Sequence, residues 1–312
     1  MDRISICCAI FLALLLLLVL VEGAAQDRFT HIGYDNGTHF VFYPRQLNPI
    51  SLGIYSSHPN ITAVTEMYAS PNRIVNGVRI PCTRAPYQAA INLDGFYLCG
   101  GTILNRCWIL TAAHCVTESG RYTVRVGSAQ HRRGGQLRDV AFVVVHAKYN
   151  NFTMQNDIAL MRLKRPLRYG RCVEQARLPT GRRRPQYNFL LGTQPDCYLV
   201  SGFGLVSANS ANVPRYLRAT RVCEVPQSRC QLMNAKANVR IYPQMICAYR
   251  RGGHDSCIGD SGGPLVSDRR EIIGIVSFGI GCGDPKYPGI YTRVAHYTRW
   301  IRRAVRRYPS CL

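Results

Sequence analysis

The chain has 312 residues, 47% of them hydrophobic, and its 39 Lys and Arg against 17 Asp and Glu give a formal charge of +22. That apolar share can pack one large domain or two smaller ones, which excludes disorder over most of the length. The cationic excess points either to a polyanionic partner or to a surface that is simply solvated, and no nucleic-acid recognition motif accompanies it.

Arg3 precedes an apolar run from Ile4 to Val21, followed by Glu22-Gly23-Ala24-Ala25-Gln26, the pattern of a secretory signal with small residues at the cut. Cleavage is expected after Gly23 or Ala25. Because the run is nearly long enough to cross a bilayer, an uncleaved anchor is the alternative; no other stretch could span one. Residues 1–23 are read as a signal peptide. Residues 24–73 have no cysteine and are rich in His, Tyr, Asn, Pro and Ser without helical periodicity or a long strand pattern, as a propeptide would be.

Residues 74–312 read as one domain. Short Val-, Ile- and Tyr-rich runs separated by turn residues, such as Tyr122–Val126, Val140–His146, Cys197–Val200 and Ile272–Phe278, predict an all-β sandwich or barrel. One good helix is predicted, Val294–Arg307, whose basic last turn suits the negative end of a helix dipole. The charge is uneven: residues 1–23 carry −1, residues 24–73 balance, and residues 74–312 hold +23. Fourteen cysteines become twelve once Cys7 and Cys8 leave with the signal, an even number that predicts a disulfide framework in an oxidising compartment. Asn36, Asn60 and Asn151 each begin a glycosylation sequon.

Acyl transfer from a peptide needs a nucleophile, a base, a carboxylate that orients the base, and donors for the oxyanion. His114 follows an apolar run in Trp108-Ile109-Leu110-Thr111-Ala112-Ala113-His114-Cys115 and is the candidate base. Asp157, before the apolar Ile158-Ala159-Leu160, is the candidate orienter. Ser261 in Gly259-Asp260-Ser261-Gly262-Gly263-Pro264 is the candidate nucleophile, with glycines around it that let backbone amides turn inward.

The Thr-Ala-Ala-His-Cys, Asp-Ile-Ala-Leu and Gly-Asp-Ser-Gly-Gly-Pro segments, in that order, resemble the chymotrypsin/trypsin family over Ile74 to about Arg307. The resemblance implies two six-stranded antiparallel β-barrels with a C-terminal α-helix, an active site between the barrels, and the amides of Gly259 and Ser261 as oxyanion donors. It places Asp255 at the floor of the primary specificity pocket, next to Ser256, with Ser277-Phe278-Gly279 and Gly289 as walls. A carboxylate withdrawn from water there would select Arg or Lys and reject apolar side chains. Phe278 stands where the family usually has Trp. Arg73-Ile74 resembles the family's activation site, so that cleavage after Arg73, by another protease or by the enzyme itself, would free an ammonium on Ile74 to pair with Asp260.

By the same resemblance Cys99 pairs with Cys115, Cys230 with Cys247 and Cys257 with Cys282. Cys107–Cys172, Cys82–Cys223 and Cys197–Cys311 complete one assignment, and Cys82–Cys311 is an open alternative. Relatives that bind calcium carry acids in the loop matching 128–136; this chain has none before Asp139, so neither calcium nor zinc nor any other cofactor is expected. Protein substrates, protein inhibitors and, through Arg182-Arg183-Arg184 and the arginines of the last helix, a heparan-like polyanion are the expected partners. A secreted, catalytically inert binding protein on the same scaffold is the competing class.

Overall fold

Alternation along Tyr122-Thr123-Val124-Arg125-Val126 buries Tyr122, Val124 and Val126 and leaves the other two partly exposed. Fully apolar runs such as Ala159–Leu163 are buried on every residue. Those two patterns build the barrels of the computed structural model, which describes residues 77–180, 195–205, 214–284, 286–308 and 311, and the backbone of two strands in the leader.

The leader strands, β1 (Ile32–Asp35) and β2 (His39–Phe42), pair with each other, and a two-residue strand, β3 (Val78–Arg79), follows them. The first barrel holds β4 (Gln88–Leu93), β5 (Phe96–Asn105), β6 (Trp108–Thr111), β7 (Tyr122–Val126), β8 (Gln136–His146) and β9 (Ala159–Leu163). Its order is β8-β7-β4-β5-β6-β9, closed by β8 against β9, and β2 lies antiparallel along Val143–His146 of β8. The second barrel holds β10 (Cys197–Gly202), β11 (Arg218–Val225), β12 (Met245–Tyr249), β13 (Pro264–Val266), β14 (Ile272–Phe278) and β15 (Gly289–Arg293). Its order is β10-β13-β14-β15-β12-β11, closed by β10 against β11, with β3 added to β11. The expected pair of six-stranded antiparallel barrels is thus present, and four-residue strands stand in the leader where no long strand pattern is visible.

Two helices pack on this frame. The amphipathic α2 covers Val294–Arg307, as predicted, continues from β15 of the second barrel, sends Val294, Tyr297, Ile301 and Ala304 into a core cluster shared by both barrels, and lays Tyr297, Trp300 and Tyr308 against His146, Trp108 and Phe142 of the first. The shorter α1 (Gln227–Ala235) is missed by the sequence reading because it buries only Cys230 and Asn234 and shows no apolar stripe. Its anchor is the Cys230–Cys247 disulfide. Among the described residues no helix is long and apolar enough to cross a membrane.

Cys99–Cys115, Cys230–Cys247 and Cys257–Cys282 form as expected. The other assignments are corrected. Cys197 faces Cys223 in the β10–β11 register with Cα atoms 3.9 Å apart, so each already has its neighbour across one ladder. Cys107, in the β5–β6 turn, pairs with Cys311 because α2 ends there, with Tyr308 against Trp108 and Phe142. Cys82 pairs with Cys172; two residues on, Glu174 donates its amide to Pro86 O beside the Cys82 turn.

Candidate active site

The β6 strand delivers His114 to the crevice between barrels: Thr111 is its last residue, and a one-turn 3₁₀ helix over Ala113–Val116, clamped by Cys99–Cys115, follows. Asp157 sits just before β9, paired antiparallel with β6, so the two residues leave adjacent strands at the same end. The His114 Nδ1 lies 2.8 Å from Asp157 Oδ2, and the His114 backbone N–H donates to Oδ1 at 3.0 Å. From the second barrel, Ser277 Oγ donates to the same Oδ2 at 2.5 Å and Thr292 Oγ1 to the Asp157 carbonyl at 2.7 Å. Ser277, expected as a pocket wall, therefore turns its hydroxyl onto this carboxylate.

Asp157 is fully buried, while the His114 side chain keeps 25% of its surface exposed. Burial pushes the imidazole down, but the Asp157 charge and hydrogen bond overcome it and hold His114 above its ordinary value. Burial likewise pushes Asp157 up; the charge of His114 and the hydrogen bonds from His114 and Ser277 overcome that and hold it low. The carboxylate is therefore the charged partner of a basic imidazole.

Ser261 is brought to the same place by the glycines after it. A Cβ on Gly262 would collide with Thr111 Oγ1 and lie 3.2 Å from Ala112 N, so the residue next to Ser261 packs directly on the strand end that carries His114. The Ser261 carbonyl accepts from Gly100 N at 2.8 Å, fixing the loop to β5.

The carbonyls of the loop 257–261 are all engaged: Cys257 O by Asp260 N (2.9 Å), Ile258 O by Leu205 N (2.6 Å), Gly259 O by the Tyr97 hydroxyl (2.6 Å), Asp260 O by Gly263 N (2.8 Å) and Ser261 O by Gly100 N (2.8 Å). Among the described residues the amides of Gly259 and Ser261 have no protein acceptor. In a planar trans peptide the C=O and N–H point opposite ways. Holding Ile258 O at Leu205 and Asp260 O at Gly263 therefore aims both amides away from those anchors. Tyr97 is a residue that sequence reasoning missed; its partner is 162 positions away, and an isolated tyrosine in a strand carries no signal for it.

Asp255 is 4% exposed. Ser256 N donates to its Oδ1 at 2.8 Å and Gly283 N to its Oδ2 at 3.2 Å, yet burial still pushes the carboxyl up to about 7. A Cβ on Gly289 would lie 2.5 Å from Asp255 Oδ1, so any side chain there would cover the carboxylate. A Cβ on Gly279 would lie 3.9 Å from Gly289 Cα, which puts these two expected wall residues face to face. Ser256 Oγ lies 3.2 Å from Tyr291 OH, and Phe278 packs against the buried cluster of Val225, Cys230, Ile241, Met245, Cys247 and Ile290. Asp260 is completely buried, accepts from Gly204 N (2.8 Å) and Cys257 N (3.0 Å), and is pushed up to about 7 by burial. Arg73, Ile74 and Arg182–Arg184 lie outside the described residues. Asn151 is exposed on the loop before β9.

A family profile described as trypsin matches residues 74–301. A vitellin-degrading protease of Bombyx mori is 38% identical over 236 residues, covering 73% of this chain and 84% of the relative. Trypsin epsilon of Drosophila erecta is 36% identical over 236 residues, covering 75% and 88%. Among solved structures, neuropsin, a serine protease expressed in the limbic system of mouse brain, superposes with a TM-score of 0.65 at 32% identity and covers 73% of this chain and 98% of its own.

Replacing Asp157 by Asn removes the charge that lifts His114 but leaves its burial. NMR titration of the imidazole should show its pKa falling in the variant relative to the native chain; an unchanged or higher value would contradict the electrostatic account.

Proposed function

The chain belongs to the trypsin family and is a serine endopeptidase, and from that premise we propose that it is secreted as a zymogen and cuts proteins after Arg or Lys through an acyl-enzyme. The observation that carries the chemical reading is the pair of acceptor-free amides, Gly259 and Ser261, in the loop packed against the strand end of His114. Ser261 Oγ attacks the scissile carbonyl carbon while His114 Nε2 takes its proton. The carbonyl oxygen, now an anion, receives the two amides, whose anchored carbonyls mean that little reorganisation is needed. Asp157 keeps Nδ1 protonated and stabilises the imidazolium. His114 then gives the proton to the leaving amine as the C–N bond breaks; a water molecule, deprotonated by His114, attacks the acyl carbon, and His114 returns that proton to Ser261 Oγ as the ester bond breaks and the acid leaves.

The specificity reading rests on Asp255. Burial raises its carboxyl despite two backbone donors, and a guanidinium or ammonium reaching between Gly279 and Gly289 would supply a compensating charge. Ser256 and Phe278 complete that wall. Burial raises Asp260 in the same way, which supports activation. Cleavage after Arg73 frees the Ile74 amine, with an unperturbed pKa of about 7.7–8.0. Pairing would raise the amine's pKa, lower the carboxyl's and lock the loop that carries both oxyanion donors.

Residues 1–23 as signal peptide and 24–73 as propeptide supply the secretory and zymogen parts of this reading, with an upstream protease or the enzyme itself as activator and protein inhibitors as regulators. The basic surface supports a polyanionic partner.

Peptide-library profiling of the cut enzyme should give cleavage after Arg and Lys, and Asp255→Ser should lower kcat/KM on arginyl substrates by on the order of 100-fold or more, the scale of an unpaired buried charge. A fluorophosphonate should label the cut chain and not Ser261→Ala; weak basic preference sinks the specificity, and absent labelling sinks the chemistry. Arg73→Gln should stay inactive under prolonged trypsin treatment, and full activity of that uncut variant would refute the activation step. Tyr97→Phe should lower kcat about fivefold, the rate equivalent of one net hydrogen bond of about 1 kcal/mol, with KM little changed. A change confined to KM would show that Tyr97 does not position the oxyanion loop.

A further inference from the structure

The outer face of α2 carries a run of positive charge with no acid beside it in the helix. The helix contains no acidic residue, and Arg299, Arg302, Arg303 and Arg306 are exposed. Among the described residues none of these four arginines forms an ion pair. Arg299, Arg303 and Arg306 follow the i, i+4, i+7 ridge, so three guanidinium groups line one side of the helix over about 10 Å.

The face continues beyond the helix. Cys311 joins Cys107, the Cys107 carbonyl accepts from Leu163 N at 2.9 Å, and the Arg106 carbonyl accepts from Leu167 N at 2.7 Å. The exposed cations Arg106, Lys164 and Arg165 are thereby tied to the end of α2. Asp139, whose carbonyl holds Lys164 N at 2.8 Å, is already paired with Arg121 at 2.6 Å.

We propose that the outer face of α2, together with Arg106, Lys164 and Arg165, is a binding surface for a sulfated polysaccharide. Guanidinium and ammonium groups spaced along one edge match a flexible chain of sulfates and carboxylates, which needs charge and hydrogen-bond donors and no pocket. A single-stranded nucleic acid would need aromatic faces on which its bases could stack. Here those faces are already engaged: Tyr297 is buried, Trp300 packs on His146, Tyr308 lies against Trp108 and Phe142, and the exposed Tyr169 has Arg106 over its ring. The commitment to a glycan over a nucleic acid rests also on the reading of this chain as secreted. Asp255, Ser261 and His114 take no part, so the two readings fail separately.

The test is heparin-agarose chromatography of the full chain in a sodium chloride gradient. The variant R299Q/R302Q/R303Q/R306Q should elute at markedly lower salt and bind free heparin roughly tenfold or more weakly at about 0.15 M salt, as expected for several lost charge contacts. A control, R132Q/R133Q/R250Q/R251Q, removes the same number of exposed charges elsewhere and should elute near the native chain. Hydrolysis of a small arginyl peptide by the cut helix variant should match the native enzyme, which shows that it is folded and reports the active-site reading independently. Equal shifts in both variants would mean that binding follows net charge, and no shift in the helix variant would remove the site; either overturns the proposal. Displacement from heparin by duplex DNA at an equal or lower concentration of anionic charge would overturn the choice of a sulfated glycan.

Discussion

Asp157 has no contact with solvent, and a carboxylate in that position is tolerated only where donors surround it. Its donors come from both barrels. The first contributes the His114 amide and ring, and the second contributes Ser277 from β14 and, at the carbonyl, Thr292 from β15. The cost of burying the charge is thus offset only when the barrels are docked in one relation, the relation that puts an imidazole at the crevice. Ser201 on β10, hydrogen-bonded to Gln88 on β4 at 2.7 Å, and α2, which continues from the second barrel and lays aromatic rings against the first, hold the same docking from other sides.

Backbone accounting explains the rest of the site. Every carbonyl of the loop 257–261 is bonded, while among the described residues the half-buried amides of Gly259 and Ser261, like that of the exposed Ile258, have no protein acceptor. The anchors come from scattered elements: Tyr97 from β5, Leu205 after β10, Gly100 from β5. Asp260 lies in the middle of this loop, and its hydrogen bonds to Gly204 and Cys257 make the loop's shape depend on the state of one buried carboxylate. Catalytic competence and zymogen control, in the proposed reading, are therefore two consequences of one packing arrangement.

The same chain separates its apolar and cationic chemistry within a single helix. The face of α2 that carries Val294, Tyr297, Ile301 and Ala304 closes the core, and the face that carries the arginines has no core to serve. Exposed arginines without acidic neighbours raise repulsion within the folded state, and a polyanion would relieve it.

Much of this was legible in the residues. Local patterns set the strands Tyr122–Val126 and Ile272–Phe278 and the helix Val294–Arg307 with the bounds expected, because each rests on a periodicity confined to its own segment. His114, Asp157, Ser261, Asp255 and Asp260 stood out through the motifs around them, and three of the six disulfides followed from the family pattern. Only the tertiary structure decided that Cys197 meets Cys223, that Cys107 meets Cys311 and Cys82 meets Cys172, that Ser277 serves Asp157, and that Tyr97 holds Gly259. Helix α1 was also invisible, since one buried cysteine and one buried asparagine make no stripe. The division follows from range: periodicity and motif chemistry act between neighbours in the chain, whereas strand register, barrel closure and the docking of α2 choose which distant side chains share a hydrogen bond or a sulfur bridge.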